Sequence, residues 1–174
     1  MVNLERLFGV YVNKGVESAI ENSTMLFDRA KEGGSIKIVA GELKSKFYND
    51  SKIIEALERA IERKVKVDIM FGPNMDSGND ELLKLWEEGK INLWYTERRS
   101  QNHFTLIDDV HARVESIHLP GQKPTQEFVY KTAWLGKHLA DEFVQLQLQA
   151  KQLSPKNKED KELLLDIQKT LVAV

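Results

Sequence analysis

The 174 residues include 41% hydrophobic and 30% charged residues, which is typical of one globular domain and excludes disordered, collagen-like and membrane classes. The formal net charge of −2 provides no overall attraction to a phosphate backbone, so nucleic-acid contact would require a local basic patch. The lack of cysteine excludes disulfides and thiolate metal sites. Because the sequence shows no secretory signal and no run of roughly 20 apolar residues, we expect a cytoplasmic protein without membrane contact.

The first half of the chain alternates between helical and strand patterns. In chain order the predicted elements are helix 15–31, strand 36–40, helix 50–61, strand 65–71, helix 80–88 and strand 91–95. A strand, a helix and a second strand form a crossover unit, so the three strands are expected to pair in parallel.

The pattern changes after Ser100. Two alternating runs, 104–107 and 111–117, are joined by three residues, and such a short connection requires an antiparallel hairpin. A long helix is then predicted at about 130–153. Its apolar face is expected to contain Trp134, Leu135, Leu139, Phe143, Leu146 and Ala150. We expect residues 1–153 to form the domain and 154–174 to form a C-terminal tail helix, which could be detached from it.

This order of elements, with a hairpin around Ile107-Asp108, resembles one half of the phospholipase D superfamily. The resemblance covers about residues 16–152 and implies an α/β fold with a mixed, mostly parallel sheet flanked by helices. The family motif is His-x-Lys, four residues and Asp, followed after six residues by Gly-Ser or Gly-Gly, one residue and Asn. Aligning Asp108 with the aspartate places Gln101 at the histidine and His103 at the lysine. The second part of the motif then falls on Glu115, Ser116 and His118.

The resemblance implies that the usual family chemistry is absent. In the family, the motif histidine attacks phosphorus and a paired histidine protonates the leaving oxygen. Gln101 can do neither, because a carboxamide has no nucleophilic ring nitrogen and does not titrate near neutral pH. We therefore expect a catalytically degenerate binding or assembly module, with no cofactor. By the same analogy we expect a homodimer and a nucleic acid, nucleotide or other phosphate-containing ligand.

The polar residues around the motif permit two interpretations. They could form a phosphate-binding pocket, or they could simply hydrogen-bond to each other across the hairpin. The candidate phosphate-binding residues are Gln101, His103, Ser116, His118, Arg98 and Arg99. Asp108 is expected to be structural, because in the family this aspartate braces the hairpin.

Other hypotheses remain open. The chain could be a phosphodiesterase or nuclease that uses His103 and His118 in an atypical site formed in a homodimer. A shifted register would make His103 the nucleophile, but Thr105 would then stand at the lysine position and no phosphate-binding cation would remain. No metal site is expected, because Asp108 and Asp109 lie at the turn, apart from His103. The tail helix could mediate oligomerisation or contact a protein partner.

Overall fold

The computed structural model describes residues 10–12, 15–98, 100, 102–115, 126–131 and 133–170. These residues form one eight-stranded mixed sheet, with the strand order β1-β7-β6-β5-β2-β3-β4-β8. The strands are β1 Val10–Val12, β2 Ser35–Leu43, β3 Lys66–Met75, β4 Asn92–Tyr95, β5 Phe104–Ile107, β6 His111–Glu115, β7 Gln126–Lys131 and β8 Lys151–Leu153. The helices are α1 Val16–Phe27, α2 Ser45–Tyr48, α3 Ser51–Glu62, α4 Asp80–Glu87, α5 Ala133–Gln147 and α6 Lys158–Thr170.

The predicted strand–helix–strand units form the centre of the sheet. β2 pairs in parallel with β3, and β3 pairs in parallel with β4. The connecting helix α3 begins after Asp50, whose carboxylate accepts a hydrogen bond of 2.9 Å from the backbone N–H of Lys52. β5 and β6 form the predicted hairpin, and β5 pairs antiparallel with β2. The predicted mixed α/β fold is therefore confirmed. The expectation that the sheet is mostly parallel is wrong for the described strands, because only two of their seven pairings are parallel: the hairpin and the strands at both edges pair antiparallel.

Helices cover both faces of the sheet. The larger core lies between one face and the helices α1, α3, α4 and α6, and its fully buried side chains include Phe27, Leu57 and Phe71. On the other face, α5 packs Leu139 and Phe143 against the strands. None of the described helices is long and apolar enough to cross a membrane.

Helix α6 belongs to the larger core. Leu164 is 3% exposed and Ile167 is 7% exposed, and both pack within the core cluster. The helix is also fixed at its start by Asp160, which accepts a hydrogen bond of 2.8 Å from the backbone N–H of Ser154 and lies 2.6 Å from Lys151 Nζ. The expectation of a detached tail is therefore wrong for the described part of this segment.

The region predicted as one helix over 130–153 is divided into several elements. β7 includes its first residues, α5 ends at Gln147, and β8 pairs antiparallel with β4 at the edge of the sheet. Trp134, which we expected in the core, is 79% exposed. The buried residues Leu139 and Phe143 are four positions apart, and Trp134 lies outside the face that they define.

Candidate functional site

The residues aligned with the family motif lie at both ends of β5. The strand begins at Phe104, so His103 precedes it and Asp108 follows it in the turn. Arg98 is exposed, and its backbone carbonyl accepts a hydrogen bond of 2.7 Å from Thr96 Oγ1. The other four candidates lie outside the described residues: Arg99, Gln101, Ser116 and His118.

His103 is held by contacts to both of its ring nitrogens. The residue is 8% exposed, its Nδ1 lies 3.3 Å from Glu115 Oε2, and its Nε2 lies 3.1 Å from the Ser100 carbonyl oxygen. The backbone N–H of Glu115 also donates to the His103 carbonyl over 3.0 Å. Both ring contacts are to acceptors, and a neutral imidazole has only one N–H to donate. Both ring nitrogens are therefore engaged by oxygen atoms of the same chain.

Arg113 provides a second cation next to the same carboxylate. Its side chain is 6% exposed, and Nη2 donates to Glu115 Oε1 over 2.9 Å. Burial alone would raise the pKa of Glu115, but the hydrogen bond from His103 and the charge of Arg113 outweigh burial and lower this pKa to about 2. The carboxylate is therefore ionised at neutral pH.

Tyr48, the last residue of α2, completes this group of side chains. Burial is the main cause that raises the pKa of its hydroxyl far above the usual value, and the negative charge of Glu115 adds to the increase. The hydroxyl therefore stays neutral. We call Tyr48, His103, Arg113 and Glu115 the Glu115 cluster. Its positive groups face a carboxylate of the same chain, so a phosphate would have to compete with that carboxylate for both of them.

Among the described residues, no group of three or more His, Cys, Asp and Glu side chains could hold a metal ion. The chemistry of the described site is therefore that of a buried ion pair and a neutral phenol.

Asp108 joins the hairpin turn to the loop that precedes β2. Its Oδ1 accepts a hydrogen bond of 2.8 Å from the backbone N–H of Ser35, and its Oδ2 accepts one of 2.9 Å from that of Lys31. A Cβ at position 34 would collide with Asp108 Oδ1, so the carboxylate requires a glycine there. The neighbouring Asp109 instead forms an ion pair of 2.7 Å with Lys37 at the surface.

Solved structures share the fold of this chain, although neither the models of protein families nor the curated proteins give a match to the sequence. Nuc from Salmonella typhimurium, a phospholipase D family member, superimposes with a TM-score of 0.61 at 17% identity, over 83% of this chain and 97% of Nuc. This chain has a phospholipase D-like fold. At that identity the likeness establishes the fold alone.

Two further solved structures that are similar to this chain are larger than it. TrmBL2, an archaeal chromatin protein described as having a novel mode of DNA binding, gives a TM-score of 0.61 at 13% identity over 88% of this chain. Phosphatidylserine synthase from Haemophilus influenzae gives 0.54 at 14% identity over 94% of this chain. The chain spans only 56% of TrmBL2 and 43% of the synthase.

The sequence analysis missed the roles of Tyr48, Arg113 and Glu115. It treated Glu115 only as the residue at the glycine position of the phospholipase D motif. The register of the hairpin contains a signal for this cluster. Phe104 pairs with Val114, so Glu115 lies opposite His103. Arg113 precedes Glu115 by two residues and therefore lies on the same face of the strand. Tyr48 is distant in sequence and no local pattern connects it to the hairpin.

The hydrogen bonds of Asp108 lead to a prediction about stability. We expect Asp108→Ala to lower the free energy of unfolding by about 2–4 kcal/mol, because two backbone N–H groups lose their acceptor. Asp109→Ala is the matched control, since both aspartates have positive φ, 51° and 54°, but Asp109 forms only an exposed ion pair. Both substitutions place an alanine at positive φ, and this backbone effect is common to them. Beyond it, we expect Asp109→Ala to lower the free energy of unfolding by about 1 kcal/mol or less. Urea denaturation measures both, and equal losses would contradict the bracing contact.

Proposed function

We propose that this chain is a catalytically inactive phospholipase D-like domain that acts as a binding or assembly module, with nucleic acid as its preferred phosphate-containing ligand. The engagement of His103 is the observation that carries this proposal. Both of its ring nitrogens contact oxygen atoms of the same chain, at 3.3 and 3.1 Å. A nucleophilic histidine needs an unprotonated nitrogen directed at the substrate phosphorus.

The sequence supports the same conclusion at the position of the family nucleophile. Gln101 stands there in the alignment, and a carboxamide can neither attack phosphorus nor take up a proton near neutral pH. His103 occupies the position of the family lysine, where its positive charge would be compensated by Glu115. Neither residue therefore supports formation of a phosphohistidine.

The choice of ligand rests on analogy. TrmBL2 is described as a DNA-binding chromatin protein, and a phospholipase D-like domain that binds without cleaving would fit such a role. A homodimer also stays a prediction. Its support from an exposed tail is lost, because Leu164 and Ile167 of α6 are buried within the domain.

Incubation of the pure protein with single-stranded DNA, double-stranded DNA and a chromogenic phosphodiester tests the proposal. We expect no turnover between about pH 5 and 8, with or without a chelator, while fluorescence anisotropy detects binding of the labelled DNA. His103→Ala should therefore remove no activity. Turnover that disappears in His103→Ala would refute the proposal and favour a phosphodiesterase that uses His103 and His118.

A further inference from the structure

The end of the sheet where the β5–β6 hairpin turns carries three exposed cations. Arg29 and Lys31 follow α1, and Lys131 is the last residue of β7. Within the part of the chain that the structure describes, none of the three has a carboxylate at ion-pair distance. The backbone N–H of Lys31 is bonded to Asp108, which fixes the loop next to the turn.

His111 shows that these cations converge on one place. It is paired with Lys131 in the sheet, and its Nδ1 is buried without a hydrogen-bond partner among the described residues. Burial is the main cause that lowers its pKa, and the charges of Arg29, Lys131 and Lys31 lower it further, while Asp108 acts in the opposite direction. The cations therefore outweigh the Asp108 carboxylate, whose oxygens already accept two backbone hydrogen bonds.

A large exposed aromatic side chain lies at the same end of the sheet. Trp134 is three residues beyond Lys131, is 79% exposed, and stacks on the ring of His138 with an interplanar angle of 6°. The first turn of α5 is fixed against the hairpin turn, because a Cβ at Gly136 would collide with the Asp109 carbonyl. Because α1 and α5 cover opposite faces of the sheet, a ligand that contacts both the cations and the indole has to cross this end of the sheet. Cations and an exposed aromatic ring are the features that bind the phosphates and unpaired bases of single strands.

We propose that the surface formed by Arg29, Lys31, Lys131 and Trp134, the turn-end patch, binds single-stranded nucleic acid. The three cations contact phosphates, and the indole stacks on an unpaired base. A duplex fits less well, because its bases are already stacked within the helix. This inference rests on the proposed ligand class, but it places the binding surface away from the Glu115 cluster. The strand β5, roughly 13 Å long, separates the turn-end patch from that cluster.

Binding of a fluorescein-labelled thymidine oligonucleotide of about 20 nucleotides, measured by anisotropy at about 50 mM salt, tests the patch. We expect the double variant Arg29→Glu, Lys131→Glu to bind roughly 50-fold more weakly and to have a shallower salt dependence. Trp134→Ala should weaken binding about tenfold, and Trp134→Phe should retain most of the affinity. Circular dichroism verifies that each variant is folded, which the exposure of all three side chains favours.

Lys156→Glu is the control for a charge reversal outside the patch. Lys156 is exposed, has no ion pair among the described residues, and follows β8. Five strands separate β8 from β7, so the control lies roughly 30 Å from Lys131. We expect its affinity to stay within about twofold of the original chain, since distant charges are screened at this salt concentration.

The outcomes distinguish this inference from the proposed function. If the original chain binds and the patch variants bind equally well, or if Lys156→Glu weakens binding as much as they do, the turn-end patch is refuted and the proposed function stands. If the original chain binds neither single-stranded nor double-stranded DNA, the nucleic-acid ligand fails as well. A readout independent of affinity is the NMR titration of His111. Its pKa should rise on binding, because phosphates neutralise the cations that lower it.

Discussion

Replacing Leu164 with Ala is expected to lower the free energy of unfolding by about 2–5 kcal/mol, the usual cost of removing a leucine side chain from a packed core. Leu164 is 3% exposed within the larger core. Its neighbour Leu165 is 53% exposed on the same helix, so Leu165→Ala should cost less than about 1 kcal/mol. The pair removes the same atoms from adjacent positions, and only their burial differs.

Urea denaturation monitored by circular dichroism measures this difference. Truncation before Lys158 should have a larger effect, because it removes Ile167 together with Leu164 and exposes the core surface that α6 covers. Two leucine variants of equal stability, or a truncated chain as stable as the complete one, would contradict the packing of α6. The earlier hypothesis of a detached oligomerisation helix would then regain its support.

The sequence identified α6 as a helix but misjudged its environment. Leu163, Leu164 and Leu165 form a run of three leucines, so helical periodicity alone does not show which one faces a core. The helix that carries Leu164 packs against β3, which is distant in the chain. Tertiary packing of this kind has no local signature in the sequence.

The central elements could be predicted because their signals are local. Alternating β-branched residues identified β2 and β3, and the three-residue connection between β5 and β6 allowed only a hairpin. The edge strand β8 was missed for the opposite reason. Its three residues, Lys151–Leu153, continue the apolar spacing of α5, and only pairing with β4 makes them a strand.

Part of the site was also accessible from the sequence. The alignment on Asp108 found both ends of β5, and the register of the hairpin would have placed Glu115 opposite His103. The sequence does not show how burial and neighbouring charges together set the pKa of Glu115. That requires the positions of Arg113 and Tyr48 around the carboxylate. That balance decides the protonation of Glu115.

Replacing Glu115 with Gln should be the most damaging single change in the site. The amide keeps the shape of the side chain but leaves the buried Arg113 guanidinium and the His103 ring without a carboxylate. Breaking a buried ion pair from one side costs about 3–5 kcal/mol, because an uncompensated charge stays buried. Glu55→Gln on α3 is the matched control, since Glu55 is exposed, and we expect a change of less than about 1 kcal/mol.

The stability difference between Glu115→Gln and the original chain should also depend on pH in one direction. The folded state lowers the pKa of Glu115 from 4.5 to about 2, so its carboxylate contributes about 3 kcal/mol above pH 4.5. That contribution is lost as the pH falls from about 4.5 towards 2, because both states then bind the proton. Urea midpoints measured across this range should therefore converge for the two proteins at low pH. A stability difference between the two proteins that is constant with pH would show that His103 and Arg113 do not hold Glu115 as a carboxylate. The argument that Glu115 already occupies both of these groups would then fail as well.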